Sequence, residues 1–301
     1  MGYNKHMSTN NQPFIITHKA LSLSIIAVII FGVAGAAWWK HVYNSPRRVF
    51  EGMIRTNLST VSVTRTTVLD QQGGTVEKVE QLSFVPTVAS RTAAIIKQQS
   101  AEGDTNVVSE TIGTTTKDYS QYVSIKTSQK GSSGTPLNYD PVLNIWGESA
   151  QPQSYQQAVL GLIPFANLKP ADADAMFRKL EDKKVYTIDY SKVEPKKVGG
   201  KSALVFTVSV NTARYVEVIK EIAKTGGFSD FADLNPADYK DSAPIDVKLT
   251  VDKLSRHLLE ADFVASAQKE AYSAYGLSTP INVPTKTVPL ESLQQKIQEI
   301  Q

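Results

Sequence analysis

Few residues of this chain have the type and spacing to do chemistry. Of its four histidines, only His257 lies beyond the first fifth of the sequence. A lone imidazole acts as general base only where a nucleophile and an orienting acid meet it. No GxSxG, HExxH, Walker A loop or dinucleotide fingerprint offers that setting. On the Arg256-Leu258-Glu260 side of a strand, His257 is expected to face solvent. The chain has no cysteine, which excludes disulfide frameworks, thiolate zinc sites, iron–sulfur clusters, a cysteine nucleophile and a lipid-bearing cysteine. Asp172 and Asp174 suit the first turn of a helix, and Glu260 and Asp262 the outer face of a strand. Calcium-loop spacing and clustered histidines are missing. The KGSSGTP core of 129–136 lacks the Lys-Ser/Thr and strand-to-helix setting of a phosphate cradle, so it reads as a loop. Two carboxylates from distant strands would suit glycoside chemistry, but nothing singles out a pair. The expectation is a protein with no catalytic residue, no metal ligand and no cofactor.

Charge and composition narrow the partners. The 301 residues carry 32 Lys+Arg against 29 Asp+Glu, a net charge of +3, too small for a nucleic-acid face. An apolar share of 41% and a charged share of 20% fit one or two folded domains. They exclude a disordered chain and a polytopic membrane protein.

Ala20 to Trp39 is the clearest single feature. Its roughly 20 uncharged residues match what a helix needs to cross a hydrocarbon core of about 30 Å. Lys19 at one end and Trp38, Trp39 and Lys40 at the other sit as interfacial anchors do. Ala34-Gly35-Ala36 resembles a signal-peptidase site, yet the apolar run continues past it, so an uncleaved signal anchor is expected. Lys5 and Lys19 precede the span while Lys40, Arg47, Arg48 and Arg55 follow it, a count that mildly favours a cytoplasmic C-terminal side. An anchor ahead of a large folded domain more often leaves that domain outside. The expected location is therefore the cell membrane, single-pass, with the C-terminal domain extracytoplasmic.

The elements behind the anchor alternate strands and helices. The spacing divides the chain into a tail (1–19), the anchor (20–39), a juxtamembrane helix and linker (40–58), a β domain (59–289) and a C-terminal helix (290–301). Ser45-Pro46 opens a helix whose apolar face is Val49, Phe50, Met53 and Ile54. Five strands then follow with short turns: 61–69, 75–84, 88–97, 106–115 and 119–126, with Gly73-Gly74 at the first hairpin tip. The apolar run 155–168, broken by Pro164, reads as a buried helix end or as a flap over a cavity. A helix at 171–181, a strand at 185–193 and a strand at 202–210 come next. Asn211 caps an amphipathic helix reaching Lys224, with Tyr215, Val218, Ile219 and Ile222 on one side. Alternating Ile245, Val247, Leu249 and Val251 lead through Asp252-Lys253 into a return strand with Leu259, Ala261 and Phe263. A strand at 268–275 precedes a proline-rich stretch, 280–289. Leu290, Leu293, Ile297 and Ile300 form a closing helical stripe, packed on the domain or meeting a partner. Helices set among groups of antiparallel strands make the class α+β.

The closing third also carries a resemblance. The succession of strand 202–210, helix 211–224, strand 245–251, the Asp252-Lys253 turn and strand 257–264 leads to Tyr272-Ser273-Ala274-Tyr275-Gly276 and Pro280-Ile281-Asn282-Val283-Pro284. It resembles the lipoprotein-carrier superfamily, the LolA-type carriers and the LppX/LprG-type lipid-binding lipoproteins. That resemblance implies a curved antiparallel half-barrel covered by helices, with an apolar cavity for acyl chains in several members and signalling or sensor roles in others. The implied cavity lining is Leu160, Ile163, Phe165, Leu204, Phe206, Tyr215, Val218, Ile219 and Ile222, which are ordinary core if the helices fill the concavity. Lipidated relatives attach through a cysteine that this chain lacks, and the insert 226–244 has no counterpart. The implied function is a membrane-anchored extracytoplasmic protein that holds or transfers a lipid or hydrophobic ligand. The alternative is a non-enzymatic sensor or interaction domain meeting an envelope protein partner, with an envelope hydrolase as the third reading.

Overall fold

The computed structural model describes residues 31, 43–131, 134–159, 161–226, 234–277 and 279–300. Apart from Phe31, the expected anchor Ala20–Trp39 lies outside the described residues. Among the described residues no helix is long and apolar enough to cross a membrane. The chain divides into two units, Met1–Arg48 and Val49–Gln301. The second holds the sheet and all but the opening turn of the first helix.

Pro46, with φ pre-set for a helix and no N–H to leave unpaired, begins α1 (Pro46–Leu58), which buries Val49, Phe50, Met53, Ile54 and Leu58. A meander of β1 (Ser62–Gln71), β2 (Gly74–Ser83), β3 (Ala89–Ser100), β4 (Gly103–Thr114) and β5 (Asp118–Thr127) follows in the expected order. After β6 (Gly147–Ser149) come two helices, α2 (Ser154–Val159) and α3 (Pro170–Asp182). The expected strand at 185–193 is instead β7 (Tyr186–Ile188) and a 3-10 turn at Tyr190–Lys192, with β8 (Glu194–Val198) starting just beyond it. The break is local chemistry: the Asp189 carboxylate accepts from Ser191 N at 3.1 Å and from Ser191 Oγ at 2.6 Å, a side-chain turn that competes with the ladder. Gly199 and Gly200, at φ +54° and +80°, turn β8 into β9 (Lys201–Val210).

Asn211 caps α4 (Thr212–Gly226) as expected, its Oδ1 accepting from Arg214 N at 3.0 Å. Then come β10 (Ile245–Asp252), β11 (Leu258–Phe263), β12 (Gln268–Ser273), β13 (Val288–Pro289) and α5 (Leu290–Ile300). The α5 stripe packs on its own domain, Leu293 clustering with Tyr139 and Val142 and with Ile297 and Ile300 partly buried beside them.

The strands form one sheet in the order β13-β6-β5-β4-β3-β2-β1-β12-β11-β10-β9-β7, and β8 shares an edge of β9. Every pairing between them is antiparallel except β13 with β6. The sheet is curved and unclosed, as a half-barrel is. One correction concerns the β10–β11 hairpin. A bulge between Thr250 and Val251 puts Leu258 opposite Val251, so Leu258 is wholly buried instead of sharing a solvent face with Glu260.

The helices pack on one face of this sheet, its inner face. Strand register aligns one cross-strand row of that face from end to end: Phe206, Leu249, Ala261, Glu270, Thr67, Lys78, Ala94, Ser109. Over β9–β11 the row is apolar and lies in the core that α1, α3 and α4 complete. From Glu270 onward it turns polar, apart from the buried Ala94.

Candidate functional site: an open groove on the inner face

The groove lies over β12, β1, β2, β3 and β4 and encloses about 410 Å³. Three neighbouring rows build it, because side chains two apart on a strand share a face. The first starts at Tyr272 in the adjoining core and runs into the groove through Arg65, Glu80, Thr92 and Thr111. The second is the row through Glu270, Thr67 and Lys78. The third is apolar: Leu69, Val76 and Ile96 line the groove, and Val107 and Ile125 carry the row on beyond it. Leu69, Val76, Ile96 and Val107 are half-buried. Ile125, at the far end, packs against the cluster of Tyr139, Val142 and Leu293.

Charge in the groove is mostly neutralised within it. Arg65 donates to Glu80, and their side chains are only 16% and 14% exposed. Burial works against the Arg65 charge, but the Glu80 and Glu270 carboxylates more than offset it and hold the guanidinium above its usual range. Thr92 Oγ1 lies 3.4 Å from the second Glu80 oxygen. Glu270, 8% exposed, accepts from the Tyr272 hydroxyl and from Gln268 Nε2 at 2.8 Å. Burial, with Glu270 beside it, pushes the Tyr272 phenol well above its ordinary value, so the hydroxyl stays a donor.

The closed end is made by α2 and the strap behind it. Asp118 Oδ2 accepts from Gln153 N, Ser154 N and Ser154 Oγ at 3.0, 2.9 and 2.8 Å, which caps the helix from the neighbouring strand. Gly113 makes the docking feasible: a Cβ there would stand 2.5 Å from Tyr155 N. The strap then passes over Arg65, whose Nη1 would meet a Cβ on Gly161 at 3.1 Å. Tyr215 donates to the Gly161 carbonyl and Tyr186 to that of Leu162, the latter at 3.1 Å. Burial raises both phenols, so both remain donors at any ordinary pH. Backbone bonds from Ala166 and Leu168 to Asn57 and Leu58, at 3.2 and 2.9 Å, fasten the strap to α1.

The residues singled out from the sequence lie elsewhere. Ile163, Phe165, Leu204, Phe206, Tyr215, Val218, Ile219 and Ile222 are brought together, each no more than 8% exposed, in the cluster beneath the helices. None of them lines the groove. Leu160 lies outside the described residues. His257 is not simply turned to solvent: its ring stacks on Tyr275 with centroids 4.0 Å apart. Asp174 pairs with Arg55 of α1 at 2.6 Å, and the Arg55 guanidinium sits 4.0 Å over the Phe177 ring. Glu260 accepts from Lys196 at 2.5 Å and from Thr250 at 3.1 Å.

The groove residues were missed because period-2 alternation reports which side chains share a face, not which face is inner. Arg65-x-Thr67-x-Leu69 and Val76-x-Lys78-x-Glu80 show that grouping, but the opposite face of the same strands carries a similar mix. Its Val68, Val79 and Ile95 are 37%, 49% and 37% exposed. Among the described residues no group of acidic and histidine side chains is set to hold a metal.

No protein-family profile matches the chain, and no curated protein matches it. A solved structure is similar to it in fold: the crystal structure of LprF from Mycobacterium bovis, at 12% identity and a TM-score of 0.40, over 79% of this chain and 96% of that one.

Proposed function

We propose that this chain is a non-enzymatic binding protein of the cell envelope, anchored through Ala20–Trp39, that holds or passes on a lipid or other hydrophobic ligand on the inner face of its half-barrel. The observation that carries the reading is the row Leu69, Val76, Ile96, Val107, Ile125. It is an unbroken apolar band across five strands, half-buried but left without a covering helix over β1–β4 among the described residues. Apolar surface in a walled groove gains about 0.8 kcal/mol for each methylene it buries. Binding is favoured over catalysis because both groove carboxylates are engaged, Glu80 by Arg65 and Glu270 by Tyr272 and Gln268. An extracytoplasmic domain is part of the same proposal.

The test uses the full chain in phosphatidylcholine nanodiscs, titrated with a fluorescent long-chain acyl probe against empty discs. Saturable binding is expected in the wild type, weakened at least tenfold by Val76→Glu with Ile96→Glu. Binding that survives both substitutions unchanged would remove the groove from the reading. A second reading, an interaction domain of the same fold, is favoured by exposed Val68, Val79 and Ile95 on the outer face. It gains if no acyl probe binds.

A further inference from the structure

Among the charged side chains lining the groove, Lys78 stands apart. Arg65 and Glu80 hold each other, and Glu270 is held by Tyr272 and Gln268. Lys78 has no ion pair or hydrogen bond among the described residues. It is exposed, sits in register between Thr67 and Ala94, and lies two residues along β2 from Val76 in the apolar band. An unpaired ammonium beside a continuous apolar band offers two complementary contacts at a fixed offset, one for an anion and one for a chain.

From this juxtaposition we infer that Lys78 receives the anionic head of an acyl amphiphile, a carboxylate or phosphate, whose chain runs along Ile96 and Val107 towards β5. The inference rests on the proposed function and narrows its ligand class. Three interstrand steps of about 4.8 Å carry a chain roughly 14 Å from β2 to β5. There Ile125 meets the apolar cluster under α5, which closes that end of the band. A neutral head would leave the ammonium without a counter-charge. An anion without a chain would gain only a solvent-exposed ion pair, which is weak. Selectivity thus needs both parts on one molecule.

The experiment is isothermal titration of the full chain in phosphatidylcholine nanodiscs, with empty discs subtracted. The probes are decyl phosphate, decyl maltoside and inorganic phosphate. Decyl phosphate is expected to bind about fivefold tighter than decyl maltoside, roughly 1 kcal/mol. Lys78→Gln should erase that preference while leaving decyl maltoside unchanged, Lys78→Arg should keep it, and inorganic phosphate should not bind. Equal affinity for both decyl compounds, or a preference that survives Lys78→Gln, overturns the inference and leaves the proposed function standing. Inorganic phosphate binding as tightly as decyl phosphate overturns it in favour of a free-anion site. If neither decyl compound binds wild type or variant, the proposed function falls, and the inference with it.

Discussion

The two halves of the inner face differ in their roof more than in their strands. Along one row, Phe206, Leu249 and Ala261 are 0%, 0% and 2% exposed, sealed by α1, α3 and α4. Farther along the same row stand Thr67, Lys78, Ala94 and Ser109, with α2 covering only one end. The backbone ladder does not change character at the border. The side chains do. A sheet face must be buried where its rows are oily, so helices gather over β9–β11; the other half is mixed, with one oily row (Leu69, Val76, Ile96, Val107) among polar ones, and stays open. The border falls on Tyr272, Glu270 and Arg65, where apolar contact gives way to a bonded polar cluster: the Tyr272 ring stacks on Phe165 at 5.5 Å while its hydroxyl serves Glu270.

The contrast is broken most directly within that row. Phe206→Ala removes a wholly buried ring under the roof and is expected to cost about 3–5 kcal/mol. Lys78→Ala, in the open half, should stay within about 0.5 kcal/mol. Urea unfolding of the full chain in micelles, followed by far-UV circular dichroism, measures both. Comparable losses would mean that the open half is covered in solution.

At the border, Arg65→Met strands the Glu80 carboxylate in a largely buried place. Breaking a buried pair costs about 3–5 kcal/mol; the residual exposure of 16% and 14% lowers the expectation here to about 2 kcal/mol. Arg65→Met with Glu80→Met should recover part of that loss. Lys179→Met provides the comparison: its pair with Glu221 is about half exposed on each side, and less than about 1 kcal/mol is expected. A double variant as unstable as the sum of its singles would show that the two side chains do not act on each other.

The roofed half was legible in the sequence because its signals were redundant. Alternation in 204–210 and 247–251, the Asn211 cap and the Tyr215-Val218-Ile219-Ile222 stripe all pointed to helix-on-sheet packing. Whether those side chains lined a cavity or filled a core was not legible, since periodicity gives a face but no distance across it. The open half was legible as a meander and not as a site. Arg65 and Glu80 are 15 residues apart and meet only through the β1–β2 register, while Glu270 joins them because β12 returns beside β1. Helix α2 was legible only as one of two readings of 155–168, because its start is set from afar: the amides of Gln153 and Ser154 are satisfied by Asp118, 35 and 36 residues away. The bulge at Thr250/Val251 gave no sign in residue type, and it moved Leu258 inward.

Gly113→Ala sharpens the view that α2 covers the groove's closed end. The added Cβ would stand 2.5 Å from Tyr155 N and 2.8 Å from Ser154 Cβ, backbone and near-backbone atoms that cannot swing aside. An overpacking cost of about 1–3 kcal/mol is expected. Hydrogen exchange should show faster exchange at 153–159 while β9–β11 keep their protection. Loosening spread evenly over the sheet would mean that the two halves open as one unit.

The smallest expected effect concerns protons at the roofed half. Burial lowers the His257 pKa; Asp252 opposes that shift and Lys201 adds to it. The folded imidazole therefore binds its proton less readily than the unfolded one, whose value is about 6.5. Above that pH both states are neutral and His257 contributes no slope. As pH falls below it the unfolded chain gains protons first, so stability drops until the lower folded value is passed. Carboxylates elsewhere also titrate on acidification, so the informative quantity is a difference. His257→Phe keeps a flat ring against Tyr275 and removes the titration. Between about pH 7 and about pH 5.5, a window that brackets the unfolded value, the wild type should lose more Tm than His257→Phe. Parallel curves would place the ring in solvent, and a smaller loss in the wild type would mean that Asp252 outweighs burial.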